Sequence, residues 1–379
     1  MLPFFDIRTI MHNDEFFMGE ALRVAEYGRG RTSPNPLVGA VIVKDGKIVA
    51  QGWHRKAGTP HAEIHALNMA GDLAKGATIY VTLEPCAHYG RTAPCAEALV
   101  RAEIKRAVIA LKDPNPLVAG KGINILQEAG IEVFCGIMEK EARRQNEIFL
   151  KWITKKMPFV TLKTAMSLDG KIATFTGASQ WITNETSREL VHRWRDAYDG
   201  ILVGINTVLA DNPSLTARLP KERGKNPTRI IVDSNARLPL TAKVLTEIEE
   251  TGTPTLVAVT ENADKDKTAA LQELGATVLV AGDGERVNLS LLMKMLAERE
   301  ICSVFVEGGG TINFSLLKEN LVDKIYAFVA PKIIGGKNAP TPVAGEGFAK
   351  IDDCIAIKDM TLEDIAGDLL ITGYLRQEN

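Results

Sequence analysis

The sequence predicts two successive α/β domains: a three-layer α/β/α sandwich on a mixed sheet, then a second, largely parallel α/β sheet. Three observations carry this. The chain has 379 residues, too many for one ordinary core and enough for two. Its 45% hydrophobic and 24% charged residues are globular proportions. The alternation of helical and strand periodicities breaks once, at Lys155-Lys156-Met157-Pro158, and then restarts. The boundary is therefore expected there, with domains over 12–156 and 157–379.

In the first domain a helix is expected over Asp14 to Tyr27. Strands follow at Leu37 to Val43 and Lys47 to Gly52, hinged by Asp45-Gly46, a strong two-residue hairpin signal. Next come a helix over Ala62 to Ala70, a strand over Thr78 to Leu83 and a helix starting near Pro94-Cys95. Strand Arg106 to Leu111, helix Gly122 to Ala129 and strand Ile131 to Cys135 complete an αββαβαβαβ order. A charged helical stretch, Glu139 to Trp152, leads to the boundary.

The second domain repeats strand and helix, the signature of a mainly parallel sheet. Strands are expected at Phe159 to Ala165, Gly200 to Val203, Thr228 to Asp233, Thr255 to Thr260, Thr277 to Val280, Ser303 to Glu307, Lys324 to Pro331 and Leu369 to Leu375. Helices are expected at Glu185 to Tyr198, Asp266 to Leu274, Leu289 to Arg299 and Thr311 to Lys318.

The chemistry concentrates first in His61-Ala62-Glu63, Pro85-Cys86 and Pro94-Cys95. One imidazole and two thiolates are three soft ligands for zinc, leaving the fourth tetrahedral position open. Glu63 adds the carboxylate that proton transfer needs, as in the H-x-E…P-C deaminase pattern, where the acid is not a ligand. Two helix N-termini would meet at the ion, where their dipoles favour thiolates. These residues point to hydrolysis of an exocyclic amine on a base-like ring. The same residues also fit a closed structural zinc site with His65 or His88 as fourth ligand, or two buried thiols with no metal.

In the second domain Glu307-Gly308-Gly309-Gly310-Thr311 follows an apolar strand and opens a helix, a place where backbone amides approach phosphate. The spacing is not the G-x-G-x-x-G dinucleotide pattern. Ser167 to Lys171, Ser179-Gln180-Trp181, Arg195, Asp211-Asn212-Pro213 and Arg218 add anion-binding chemistry. Each has a plainer reading: Trp181 as a core aromatic, Arg195 as a solvated helix face, Asp211-Asn212-Pro213 as a turn.

A net charge of −2 argues against a nucleic-acid surface. No apolar run reaches membrane-spanning length and no secretory signal is visible, so a cytoplasmic enzyme with reduced cysteines is expected. Neither nucleic acid nor membrane is an expected partner.

Longer stretches carry a resemblance. Thr32 to Gly39, Gly52-Trp53-His54, the His61 segment, Pro85 to Arg91, Asp113 to Pro116 and Gly120 resemble the bifunctional riboflavin-biosynthesis deaminase/reductase family. So do Ser167 to Lys171, Gln180 to Thr183, Thr207 to Thr216 and Val306 to Thr311. The similarity spans about residues 14 to 377, and Ala93 departs from a proline usual there. It implies a cytidine-deaminase-like domain followed by a dihydrofolate-reductase-like domain. The first would deaminate a phosphorylated diaminopyrimidinone with zinc held by His61, Cys86 and Cys95 and with Glu63 catalytic. Asn35, His54, His88, Arg91, Asp113 and Asn115 would hold that substrate. The second would reduce the ribosyl group with NADPH, placed against Ala165, Trp181, Thr207, Asp211, Ser234, Gly309, Gly310 and Thr311. Its substrate would meet Ser179, Arg195, Leu215, Arg218 and Glu307. The family also leads to the expectation of a homo-oligomer. Alternatives on the residues alone are a deaminase of another base with a regulatory nucleotide-binding second half, and a zinc-stabilised scaffold.

Overall fold

The structure, a computed structural model, describes residues 7–87, 94–115, 119–220 and 224–375, with side chains from residue 13 onward. The chain divides into two compact units between Lys156 and Met157. No described helix is long and apolar enough to cross a membrane.

The first unit runs α1 (Ile7–Ala25), β1 (Gly39–Lys44), β2 (Lys47–Trp53), α2 (Ala62–Ala70), β3 (Thr78–Val81), α3 (Cys95–Arg101), β4 (Arg106–Ile109), α4 (Lys121–Glu128), β5 (Glu132–Cys135), α5 (Glu139–Gln145) and α6 (Glu147–Lys155). Its sheet has the order β2-β1-β3-β4-β5. β1 is antiparallel to β2 and β3, whereas β3, β4 and β5 are parallel. Asp45 and Gly46, both at positive φ, turn the β1–β2 hairpin. Alternate strand residues face opposite layers. Ala40, Ile42, Ile79 and Ile109 pack with Ala62, Ala66 and Leu99, while Val41, Val43 and Val108 pack with Met18 and Leu22 of α1. The expected single helix over Glu139 to Trp152 is instead broken at Asn146. There the buried side chain accepts from Leu37 N–H at 2.8 Å and donates to Leu37 C=O at 2.9 Å. A tertiary bond absent from local sequence thus ends α5 and starts α6.

The second unit contains β6 (Phe159–Ser167), α7 (Glu185–Ala197), β7 (Gly200–Gly204), α8 (Ile205–Asp211), β8 (Thr228–Val232), the short α9 (Lys243–Thr246) and α10 (Ile248–Thr251), β9 (Thr255–Val259), α11 (Lys265–Glu273), β10 (Thr277–Val280), α12 (Leu289–Glu298), β11 (Ser303–Gly308), α13 (Gly310–Lys318), β12 (Lys324–Ala330), β13 (Lys358–Ile365) and β14 (Asp368–Tyr374). The sheet order is β10-β9-β8-β7-β11-β6-β12-β14-β13. All pairings from β10 through β12 are parallel, and β14 and β13 add an antiparallel edge. One face packs Leu202, Ile230 and Val304 on α12, and the other packs Ile201, Val203 and Val257. β13 is exposed along most of its length, so it lacks the one-sided apolar alternation that reveals a strand in sequence.

Gly52 decides where α2 sits. A Cβ there would lie 2.3 Å from Ala62 O and 2.5 Å from Ala66 N, so only a glycine lets the first turn of α2 rest on β2. Gly52→Ala should destabilise the amino-terminal unit by about 1–3 kcal/mol, the usual range for overpacking a tight contact. Thermal denaturation checks this, and an unchanged melting temperature would mean that α2 can shift freely.

Candidate active sites

In the first unit His61 stands at the N-cap of α2 with extended backbone, and Cys95 is the first residue of α3. The chain leaving β3 brings Cys86 between them. His61 Nδ1 lies 3.5 Å from Cys86 Sγ and 3.3 Å from Cys95 Sγ. Tetrahedral ligation at zinc bond lengths sets neighbouring donors on the order of 3.5 Å apart, so the three atoms form one face of a zinc tetrahedron. The Cys95 N–H donates to Cys86 Sγ at 3.3 Å, the helix N-terminus favouring thiolate. The hydrogen bond from the Cys95 thiol, and then His61, lower the Cys86 thiol, while the same bond raises Cys95. Among the described residues His65 is not a member of this cluster.

Glu63, the second residue of α2, is only 3% exposed. Burial pushes its carboxyl up to about 7 against the pull of His61. His54 is buried beside the triad, its ring 5.4 Å from that of His61. Its Nδ1 donates to Pro60 C=O at 3.3 Å, which leaves Nε2 to accept from Asn35 Nδ2 at 3.1 Å. Asp113 Oδ1 accepts from Asn115 N–H at 2.8 Å and closes the turn after β4. His88 and Arg91 lie outside the described residues.

Glu84 is a site residue that sequence reasoning passed over. Its buried carboxylate accepts from the N–H groups of Asp113 at 3.2 Å, Gly120 at 3.0 Å, Gly122 at 3.0 Å and Ile123 at 3.3 Å. It thereby ties the segment bearing Cys86 to the Asp113 turn and to the start of α4. The available signal was an acid between an apolar strand and a ligand-bearing Pro-Cys.

In the second unit Glu307 ends the apolar run of β11 beneath α7. Arg195 clamps it with Nε to Oε1 at 2.5 Å and Nη2 to Oε2 at 2.9 Å, while Nη1 donates to Thr216 C=O at 3.0 Å. Burial alone would raise the Glu307 carboxyl, but the Arg195 guanidinium outweighs it and holds the group at about 2. Arg195 is therefore no solvated helix residue. Trp181 is 59% exposed, with the Arg188 guanidinium 4.6 Å above its ring, so it is not a core aromatic.

A cavity of about 430 Å³ brings together Ala165, Ser179, Trp181, Arg195, Asp211, Arg218, Glu307 and Gly309. It also holds Lys163, 3.9 Å from Glu307, and His192, whose Nδ1 accepts from Arg218 N–H at 3.2 Å. Neither was singled out in sequence, although Lys163 is a lone cation in the apolar run of β6. A second cavity of about 860 Å³ gathers Thr207, Ser234, Gly309, Gly310 and Thr311. Gly309 lines both cavities. Its φ is +90°, and a Cβ there would lie 3.2 Å from Thr207 Oγ1, so only glycine takes this backbone against Thr207 without strain. Leu215 lines neither cavity and packs in the core.

A His61–Cys86–Cys95 cluster beside a buried acid and a glycine turn at the start of α13 thus stand in separate units of one chain, and comparison with known proteins places both in one family. The family described as the cytidine and deoxycytidylate deaminase zinc-binding region matches residues 11–111, and the RibD C-terminal domain family matches 158–371. The riboflavin biosynthesis protein RibD of Bacillus amyloliquefaciens is 46% identical, covering 95% of this chain and 96% of its own. The chain belongs to the RibD family. RibD of Aquifex aeolicus is also 46% identical, over 94% of this chain and 97% of its own. The solved structure of Acinetobacter baumannii RibD is 40% identical, covers 97% of this chain and 100% of its own, and superposes with a TM-score of 0.86. A Thermotoga maritima structure, named a diaminohydroxyphosphoribosylaminopyrimidine deaminase/5-amino-6-(5-phosphoribosylamino)uracil reductase, is 36% identical over 97% of this chain and 99% of its own, with a TM-score of 0.84. The protein is a bifunctional deaminase and reductase of riboflavin biosynthesis, with zinc and NADPH as cofactors and small pyrimidines as substrates.

Glu84→Gln should weaken the amino-terminal unit. The amide keeps one acceptor oxygen and turns an NH₂ toward backbone donors, at about 1–3 kcal/mol for each buried N–H left bare. Chemical denaturation measures it, and a midpoint equal to that of the parent would show that the carboxylate does not hold this loop.

Proposed function

We propose that the amino-terminal site hydrolyses the exocyclic amine of 2,5-diamino-6-ribosylamino-4(3H)-pyrimidinone 5′-phosphate. The carboxy-terminal site then reduces the ribosyl group to ribityl, giving 5-amino-6-ribitylamino-uracil 5′-phosphate. The observation that carries the reading is a buried Glu63 in contact with Cys95 of the His61–Cys86–Cys95 cluster. A purely structural metal site has no use for such an acid.

His61, Cys86 and Cys95 would hold the zinc, which when bound supplies a Lewis acid that brings the pKa of water toward neutrality. Glu63 takes a proton from the attacking water and delivers it to the departing nitrogen. The oxygen stays on the ring carbon as the new carbonyl, the second water proton ends on the adjacent ring nitrogen, and the exocyclic nitrogen leaves as ammonia. Burial raises this carboxyl above the usual carboxylate range, so it holds a proton more readily than an exposed acid does. Asn35 and His54, locked in one tautomeric arrangement by their mutual bond, would present fixed polar groups to the pyrimidine. Asp113 and Asn115 would take the ribose phosphate side, together with His88 and Arg91.

In the reductase NADPH supplies the hydride. Arg195 and Arg218 would receive the substrate phosphate, and Ser179, Leu215 and Glu307 would complete the substrate site; Leu215, being buried, would act through its backbone. Ala165, Trp181, Thr207, Asp211, Ser234 and Gly309 to Thr311 would hold the cofactor. Cytoplasmic location and self-association belong to the same proposal. All five cysteines are free, which fits a reducing compartment.

Glu63→Gln should keep zinc and fold while lowering the deamination rate by at least about 10²–10⁴. Ammonia release assayed on the diaminopyrimidinone checks this, and near-parental release would remove Glu63 from the role. Cys95→Ser should lose zinc, because a hydroxyl is a poor ligand for that ion. Metal analysis at full occupancy would mean that the third ligand lies elsewhere.

A further inference from the structure

Between β6 and α7 the chain forms a wall of the cavity around Trp181, yet residues 168–184 contain neither helix nor strand. Ser179, Trp181, Ile182 and Thr183 all line that cavity. Carbonyls outside regular elements still need partners, and here side chains supply them. Lys332, two residues past the end of β12, donates from Nζ to Trp181 C=O at 2.8 Å and to Ile182 C=O at 2.7 Å. Arg188 of α7 donates from Nη1 to Thr183 C=O at 2.7 Å, and its guanidinium stands over the Trp181 ring. Three successive carbonyls are thus held by two cations. Among the described residues neither cation is paired with a carboxylate.

Lys332 is itself pinned. Its C=O accepts from Leu168 N–H at 2.8 Å and its N–H donates to Ala330 C=O at 2.7 Å, beside the paired ends of β6 and β12. The residue is exposed and is not part of the cavity lining. A trans peptide points its C=O and its N–H in opposite directions. The Trp181–Ile182 and Ile182–Thr183 peptides are both trans. With their carbonyls drawn to Lys332, the N–H groups of Ile182 and Thr183 therefore face away from it. Among the described residues neither N–H has an acceptor, and both residues belong to the cavity lining.

We infer that Lys332 is a positioning residue of the reductase: it holds the Trp181–Thr183 wall so that the Ile182 and Thr183 amides donate to a carbonyl oxygen of a bound reactant. The inference rests on the reading of this cavity as the place where NADPH and the pyrimidine meet. A lysine suits the task, because its donors sit on one compact atom at the end of a flexible stem and reach two neighbouring carbonyls at once. Neutral amides match neutral carbonyl oxygens, and both reactants carry one: the carboxamide of the nicotinamide and the ring carbonyls of the pyrimidine. An unanchored wall would lose these donors before and during the chemical step alike, so the loss falls on binding and not on turnover.

Steady-state reduction by the full-length protein, supplied with the deaminated pyrimidine and NADPH, tests this. Lys332→Met keeps a long side chain and removes its donors. It should raise the KM of one reactant roughly tenfold, change kcat by less than about threefold, and leave ammonia release at the other site unchanged. A raised KM for NADPH places the acceptor on the carboxamide, and a raised KM for the pyrimidine places it on the ring. KM does not depend on how much of the enzyme is folded, so a variant that merely unfolds lowers the apparent kcat at constant KM. That result, or no change in either constant, would overturn the positioning role. Lys337→Met removes another exposed cation of the same loop and should leave both KM values at the parent level. An equal rise there would overturn the inference in favour of a general effect of charge. Absence of reduction by the parent would instead remove the reactants from this cavity, and the role of Lys332 with them.

Discussion

Parallel strands need crossover connections, and the helices that make them begin where the strands end. Helix N-termini with unpaired N–H groups therefore gather along the carboxyl edge of a parallel sheet, a ready-made place for anions, thiolates and phosphates. Both units of this chain build on that constraint. In the first, Cys86 follows β3 and meets the starts of α2 and α3, and the Asp113 turn follows β4. In the second, the glycine turn follows β11 and opens α13, with Thr207 after β7 and Ser234 after β8. Two different chemistries thus occupy corresponding positions on their sheets.

What distinguishes the two sites is how charge is handled once it is gathered. The first site removes Glu63 from water, and burial raises its carboxyl above the usual carboxylate range. The reductase site does the reverse. Glu307 is also largely removed from solvent, but a bidentate arginine and Lys163 keep it ionised. A shuttle needs two accessible protonation states, whereas a binding site needs a fixed charge pattern. The same burial serves both ends because the partners differ.

Positioning in the first unit depends on groups that never meet a substrate. Glu84 gathers four backbone N–H groups from two segments, Asn146 reads both backbone groups of Leu37, and Gly52 admits α2 to the sheet. Each replaces a local connection by a long-range one. Their combined effect is to hold His61, Cys86 and Cys95 together although they lie far apart along the chain.

The sequence by itself determined the features that arise from period, punctuation and short motifs. Most strands and helices, the mixed and parallel character of the two sheets, the His61–Cys86–Cys95 ligand set and the glycine turn could all be read there. These depend on residues near one another in the chain or on a spacing peculiar to one chemistry. Folding settled the rest, because it depends on which distant groups meet. The break at Asn146 comes from a bond to Leu37, and the exposed β13 is a strand only because β14 pairs with it. Arg195 reads equally well in sequence as a solvated helix residue, and only the approach of β11 turns it into the partner of Glu307. Lys163, His192 and Glu84 carried at most a faint local signal for the same reason: a polar side chain acquires a role from what faces it, and facing is a property of the packed sheet and not of the chain order.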